Sequence, residues 1–316
     1  MKCFYHNDLD GNAAAFCVYA WVGIKSITKV SDVSFIEINY GTKFPFEKIK
    51  KNEQIWIVDY SISPDEMRKL LKITQDVTWI DHHKTAIEKY ADFEFPIRGI
   101  RKDGEAACVL TWKYIHWWTG RGEGKEDFTK ENIHIPVAKC ILLVGDRDVW
   151  KWEHKETRSF FNGSQLHDTS PSSNFWWKCM DHEVEPLPLP NNGNATAQKR
   201  GIKFWNKLLL SGEIIQKYKN QGDSGINKSL GWITNFEGFS CFAINRGRVS
   251  SDRLGNNMDD YDICLRDYHD GKQFTVSLYT KKDIDCSNIA KKYGGGGHKK
   301  AAGFQCKELP FVKGIK

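Results

Sequence analysis

Three short apolar runs in the first third of the chain each stop on a chemically active side chain. Cys3-Phe4-Tyr5 leads to His6, Ile55-Trp56-Ile57-Val58 to Asp59, and Val77-Thr78-Trp79-Ile80 to Asp81. Runs this short, rich in aromatic and β-branched residues, predict buried strands. Between them the pattern turns helical. Gly11, Ala13, Ala14 and Ala15 open a helix towards Val22, and Ser63-Pro64-Asp65-Glu66 places Ser at a cap with Pro just inside it. Gly104 to Trp118 and Ile135 to Val144 predict two more helices, the second ending at Gly145-Asp146. Strands alternating with helices predict an α/β domain with a parallel sheet, whose ligand crevice lies beyond the carboxyl ends of the strands.

The pattern changes at Glu185-Pro186-Leu187-Pro188-Leu189-Pro190, where alternating Pro predicts an extended linker up to Asn194. A helix from about Ala195 to Tyr218 follows, then β segments over Gly238 to Thr280 and a short helix over Ile284 to Tyr293. This predicts an α/β domain over 1–185, a linker and connecting helix over 186–222, and a smaller α+β domain over 223–316. Residues 119–131 and 151–182 are poorly periodic and are expected to be loops or insertions.

Hydrophobic residues make up 40% of the 316 residues and charged residues 27%, within the range of a soluble globular protein. The formal net charge of +6 suits an anionic substrate but falls short of a dedicated duplex-DNA binder. Nine scattered Cys, none at metal-finger or redox spacing, predict buried free thiols in a reducing compartment. No signal-peptide pattern and no apolar run of membrane length are present, so the expectation is a soluble, cytoplasmic protein. The twelve Trp are expected mainly to pack, with Trp117-Trp118 and Trp176-Trp177 as candidates for base stacking.

The chemistry sits in four places. In His6-Asn7-Asp8-Leu9-Asp10-Gly11, residues 6, 8 and 10 of an extended segment would face one way. Asp81-His82-His83 and Asp59 directly follow buried strands, and Asp146 and Asp148 follow an apolar helix. Each has an ordinary alternative: a solvated acidic loop, polar surface, a helix-cap partner, a turn residue beside Arg147. For all four to hold at once is improbable. His and carboxylate donors without thiolate suit Mn²⁺, with Zn²⁺, Fe²⁺ and Co²⁺ left open. The supply is enough for two ions, which together activate water and offset charge on a leaving oxygen.

The ordered set His6-x-Asp8-x-Asp10-Gly11, Val58-Asp59-Tyr60-Ser61, Asp81-His82-His83 and Gly145-Asp146 resembles the motif series of the DHH phosphoesterase family. Gly294-Gly295-Gly296-Gly297-His298-Lys299-Lys300-Ala301-Ala302-Gly303-Phe304 resembles the signature of that family's DHH-associated substrate-binding domain, found in its oligonucleotide-degrading members. The resemblance implies one metal on His6, Asp8 and Asp59, and a second on Asp10, Asp59, His82 and Asp146. Asp59 would bridge, His83 would contact the scissile phosphate or support the site, and Asp81 would orient the His pair. Asp146 is preferred to Asp148 because it directly follows the apolar helix, as the family's last motif does.

In the second domain, Gly295, Gly296 and Gly297 would let backbone amides approach an anion, with His298 adding a hydrogen bond or charge. Arg246 and Arg248, after the strand Phe242-Ala243-Ile244, are candidate phosphate clamps, with ordinary surface charge as nearly equal alternative. One departure stands out. Family members often carry Arg in the strand before the Gly-rich motif, where this chain has Ser277-Leu278-Tyr279. The expected architecture is a parallel-sheet DHH domain plus a smaller α+β domain, with the active site in the cleft between them. The expected activity is two-metal (Mn²⁺-type) hydrolysis of short single-stranded oligonucleotides to mononucleotides. The alternatives are a cyclic or linear dinucleotide phosphodiesterase, a nucleoside bisphosphate phosphatase, or a non-catalytic nucleotide-binding protein, the last disfavoured by the intact ligand set. The oligomeric state is expected to be a monomer or a homodimer.

Overall fold

Four parallel strands carry the site: β1 (Lys2–His6), β2 (Ser34–Ile38), β3 (Ile55–Val58) and β4 (Val77–Ile80), side by side in the order β2-β1-β3-β4. The computed structural model describes residues 1–25, 32–121, 135–181, 195–247, 251–255 and 257–311. The linker expected at Glu185 to Asn194 and the candidate Arg248 lie outside the described residues. The chain divides into two compact units, Met1–Glu213 and Ile214–Lys316.

In the first unit the sheet separates two cores, and the strand period of two sorts side chains between them. Cys3, Tyr5, Trp56 and Val58 face one core; Phe4, Ile55, Ile57 and Trp79 face the other. The first core is completed by α1 (Leu9–Lys25), α4 (Ala107–Arg121) and α5 (Lys139–Asp148). Helix α1 is apolar nearly all round and is buried accordingly. The second core receives α2 (Pro64–Ile73) through Met67, Leu70 and Leu71. The start of α2 is a capping box: Ser63 Oγ accepts from the Glu66 amide, and the Glu66 carboxylate accepts from the Ser63 amide. A short α3 (Lys84–Lys89) begins directly after His83.

The stretch 151–182, expected as loop, contains two further helices, α6 (Thr157–Ser164) and α7 (Asn174–Met180). The polar residues of α6 and the shortness of α7 hide them from the apolar pattern, yet each buries an aromatic anchor. Phe160 and Trp176 are fully buried, and Trp176 stacks on Phe16 with ring centres 5.5 Å apart. Removing such an anchor leaves a cavity and costs about 3–5 kcal/mol. Trp177 meets Phe16 edge-on and Trp117 packs near Tyr114, so these three Trp serve the core rather than a ligand. The Trp118 side chain lies outside the described side chains.

Helix α8 (Ala195–Leu230) runs twelve residues past its expected end at Tyr218. The second unit is built on a six-stranded sheet: β5 (Gly231–Phe236), β6 (Phe239–Asn245), β7 (Ile263–His269), β8 (Phe274–Tyr279), β9 (Gly296–Gly297) and β10 (Ala301–Cys306), in the order β5-β6-β7-β8-β10-β9. All neighbours are antiparallel except β6 and β7. Two short helices accompany it, α9 (Asn257–Asp260) and α10 (Cys286–Lys292), the latter capped by Asp285. One face of the sheet packs Cys241, Ala243, Leu265, Val276, Leu278 and Phe304 with Ile289 of α10. Among the described residues, no helix is long and apolar enough to cross a membrane.

Candidate active site

Strand β1 delivers His6, and the chain enters α1 within three residues. Gly11 makes this turn possible: a Cβ there would lie 2.1 Å from the His6 carbonyl oxygen. Asp8 Oδ1 accepts from the Gly11 amide at 2.9 Å, while Oδ2 lies 3.0 Å from His6 Nδ1. The expected common facing of residues 6, 8 and 10 does not occur, because Asp10 already belongs to the first turn of α1. Its two carboxylate oxygens accept from the amides of Ala107 and Cys108, each at 2.9 Å, at the start of α4. A helix N-terminus offers unpaired amides and a favourable dipole to such an anion.

Strand β3 ends on Asp59, whose φ of 54° puts it in the left-handed region. A non-Gly residue held there costs of order 1–3 kcal/mol and persists only where its surroundings enforce it. The turn sets the buried carboxylate between two groups of donors. His6 Nδ1 is 3.7 Å from Asp59 Oδ2, and His82 Nε2 is 3.2 Å from Asp59 Oδ1. His82 Nε2 also lies 3.4 Å from Asp148 Oδ2 and 3.6 Å from Asp10 Oδ2. Two sets of potential ligands result, His6-Asp8-Asp59 and Asp10-His82-Asp148, each with its atoms within 4.8 Å of one another.

Asp81, fully buried, organises the His pair. Its Oδ1 accepts from the His82 amide and from His83 Nδ1, both at 2.8 Å, and its Oδ2 accepts from the Ser61 hydroxyl. Burial would raise this carboxyl, but His83 and His82 outweigh it and hold it well below the usual range.

The structure corrects the choice of the last carboxylate. Asp146 is absent from both sets: its oxygens accept from the amides of Glu153 and His154 and from the Thr157 hydroxyl, tying the end of α5 to α6. Asp148, two residues on, reaches His82 instead. Residues without a motif of their own also enter. Asn39 and Tyr40 lie in the turn after β2, and Asn39 Oδ1 is 3.3 Å from His6 Nε2.

The charge balance of the cluster points to a cation. Burial, with Asp59 and Asp148 nearby, pushes the Asp10 carboxyl well up, and burial raises Asp148 to about 6 against the pull of His82. Burial opposes a charged His6, yet the Asp59 and Asp8 carboxylates push it up to about 11. Both oxygens of Asp59, Oδ2 of Asp148 and Nδ1 of His6 are buried without a hydrogen bond. Buried polar atoms left so cost about 1–3 kcal/mol each and call for an explanation. Divalent cations among these oxygen and nitrogen donors supply one, so the residues fit such ions.

In the second unit the Gly run is built for close approach. A Cβ on Gly295 would lie 2.1 Å from the Gly303 carbonyl oxygen, and one on Gly297 would lie 2.7 Å from that of Ala301. The amides of Gly294, Gly295 and His298 donate to the carbonyls of Lys291, Ala290 and Ala301. These three close α10 and the β9–β10 turn; they do not form an open anion cradle. Arg246 pairs with Asp223 at 2.7 Å, as does Arg253, which ties β6 to α8. Arg266 of β7 donates to Ser277 Oγ at 3.0 Å and lies 5.8 Å from the Tyr279 ring centre.

With this geometry in hand, the relatives are informative. Residues 249–314 match the family model of the DHHA1 domain. Oligoribonuclease NrnB of Bacillus subtilis (strain 168) is 25% identical over 325 aligned positions, covering 95% of this chain and 71% of that protein. An uncharacterized protein of Acanthamoeba polyphaga mimivirus is 21% identical over 330 positions, covering 96% and 68%. Among solved structures, the DHH domain of a member of the S1p family of ribosomal proteins superposes with a TM-score of 0.50 at 14% identity, over 96% of this chain and 81% of that one, a likeness of fold. Residues 249–314 are thus a DHHA1 domain, and the family match and the oligoribonuclease relative together support a DHH phosphoesterase, a metal-dependent hydrolase of phosphoesters.

Proposed function

We propose that the chain is a phosphodiesterase that hydrolyses short single-stranded oligonucleotides to mononucleotides with two divalent ions, Mn²⁺ foremost. The observation that carries this reading is Asp59, a buried carboxylate without a hydrogen bond, standing between the two donor sets. His6, Asp8 and Asp59 would hold one ion, and Asp10, Asp59, His82 and Asp148 the other. Ions held there would supply positive charge to the phosphoryl oxygens and the leaving oxygen, and would make water a better nucleophile near neutral pH.

The protein's own groups do the rest. Asp10 is fixed by the α4 amides, so the second set is preorganised. Asp81 accepts the Nδ1 proton of His83 and raises that ring's pKa against the effect of burial. A charged His83 would donate from Nε2 to a phosphate oxygen. On the DHHA1 domain we assign substrate contact to His298 and Arg266, and before it in the chain we assign Arg246 to its pair with Asp223. The substrate class takes support from the resemblance to an oligoribonuclease. The nine free cysteines, eight of them buried, support a reducing compartment such as the cytoplasm.

A substrate panel tests the reading. With Mn²⁺, Mg²⁺ or Zn²⁺ in turn, the protein should release mononucleotides from di- to pentanucleotides, most actively with Mn²⁺. Inactivity on these with turnover of a cyclic dinucleotide or a nucleoside bisphosphate would replace the proposed substrate.

A further inference from the structure

Tyr40 stands at the edge of the donor cluster, and the chemistry above does not use it. Its ring centre lies 5.5 Å from that of His6 and 5.9 Å from that of His83. It nevertheless remains 49% exposed. One side rests on Tyr60, with ring centres 4.6 Å apart and planes at 29°. Its hydroxyl has the Ser61 backbone as hydrogen-bond partner. Tyr40 is thus held on one side by Tyr60 while half of its surface stays open beside His6 and His83.

The turn that carries the ring is fixed. The Tyr40 amide donates to Asn39 Oδ1 at 2.8 Å, the Thr42 hydroxyl donates to the Asn39 carbonyl at 2.6 Å, and Gly41 takes a φ of 89° that lets the chain reverse. An aromatic ring held in one orientation loses little entropy when a ligand stacks on it.

We propose that Tyr40 is the platform on which the base of a bound nucleotide stacks while its phosphate occupies the His6–His83 cluster. This rests on the phosphodiesterase reading and narrows it to substrates that carry a base. Stacking of this kind tolerates any base, because every base presents a π-face. Tyr40 thus selects nucleotides over simple phosphoesters without selecting a sequence.

Two measurements on the full chain with Mn²⁺ test this. The first is calorimetric binding of a nucleoside 5′-monophosphate against ribose 5-phosphate, for wild type, Tyr40→Ala, Tyr40→Phe and Tyr40→Trp, with melting curves to confirm folding. The nucleotide should bind wild type about tenfold to a hundredfold tighter than the sugar phosphate, as expected for one stacked base. Tyr40→Ala should erase that preference and leave ribose 5-phosphate affinity unchanged, while Tyr40→Phe and Tyr40→Trp should keep it. The second is dinucleotide turnover, where Tyr40→Ala should raise KM by a similar factor and spare kcat. An equal loss for both ligands, or a preference that survives in Tyr40→Ala, overturns the platform. Absence of dinucleotide turnover in wild type, with a base preference that still depends on Tyr40, would reject the proposed reaction and leave the platform standing.

Discussion

Asn39 fixes the ring state of His6. Its Oδ1 accepts from the Tyr40 amide at 2.8 Å, which identifies that atom as the oxygen, and the same oxygen lies 3.3 Å from His6 Nε2. Nε2 must therefore donate, and Nδ1 is the atom that faces Asp8 and Asp59. Outer partners of this kind typically govern metal affinity by 10–100-fold. Asn39→Leu should weaken Mn²⁺ binding to the stripped protein by about that factor, and Asn39→Asp, which keeps the acceptor, should recover most of it. Calorimetric titration reads both, and unchanged affinity in Asn39→Leu would remove Asn39 from this role.

Asp146 and Asp148 should separate by experiment as they do in space. Asp148→Asn should lose Mn²⁺ affinity and turnover with little change in melting temperature. Asp146→Ala leaves the Glu153 amide and the Thr157 hydroxyl without their acceptor and should lower stability by about 1–3 kcal/mol in denaturant unfolding. The reverse assignment of effects would restore Asp146 to the metal site.

The second unit should carry an acid-sensitive clasp. Burial favours a neutral Asp223, but Arg253 and Arg246 outweigh it and lower its pKa. A carboxyl whose pKa is depressed on folding stabilises the fold above its unfolded value of about 3.9 and loses that contribution as pH falls through the folded value. Asp223→Asn should therefore flatten the fall in stability between about pH 5 and pH 3 while lowering stability at neutral pH. Parallel stability curves for the two proteins would contradict the clasp.

Thiol reactivity should be confined to one site. Eight cysteines are buried and Cys306 is partly exposed. Burial pushes the Cys241, Cys264 and Cys286 thiols up to about 12. At neutral pH, Ellman's reagent should modify Cys306 quickly and the others only after unfolding. Rapid release of several equivalents from the native protein would refute this burial pattern.

How much of this the chain announces depends on where each side chain finds its partner. His6, Asp59 and Asp81 were legible because each directly follows a buried strand, and the ends of parallel strands converge. The geometry of Asp10 was not: its carboxylate is set by amides of Ala107 and Cys108, almost a hundred residues away. Asp146 and Asp148 sit on one helix end, about 160° apart around its axis at 3.6 residues per turn. Residues 153–157 engage Asp146, and Asp148 faces His82. Helix α6 escaped notice because Ser159, Asn162 and Gly163 interrupt its apolar residues, and α7 because its seven residues are too few to show a period. Asn39 and Tyr40 belong to no motif, and only the parallel pairing of β2 with β1 brings them beside His6.

Asp59→Asn tests the central claim most directly. The substitution keeps size and shape but removes the charge placed between both donor sets. With Mn²⁺ present and folding confirmed by melting, mononucleotide release from a dinucleotide should fall to background in Asp59→Asn while the wild type turns over. Turnover that persists in Asp59→Asn would contradict the metal site as assigned.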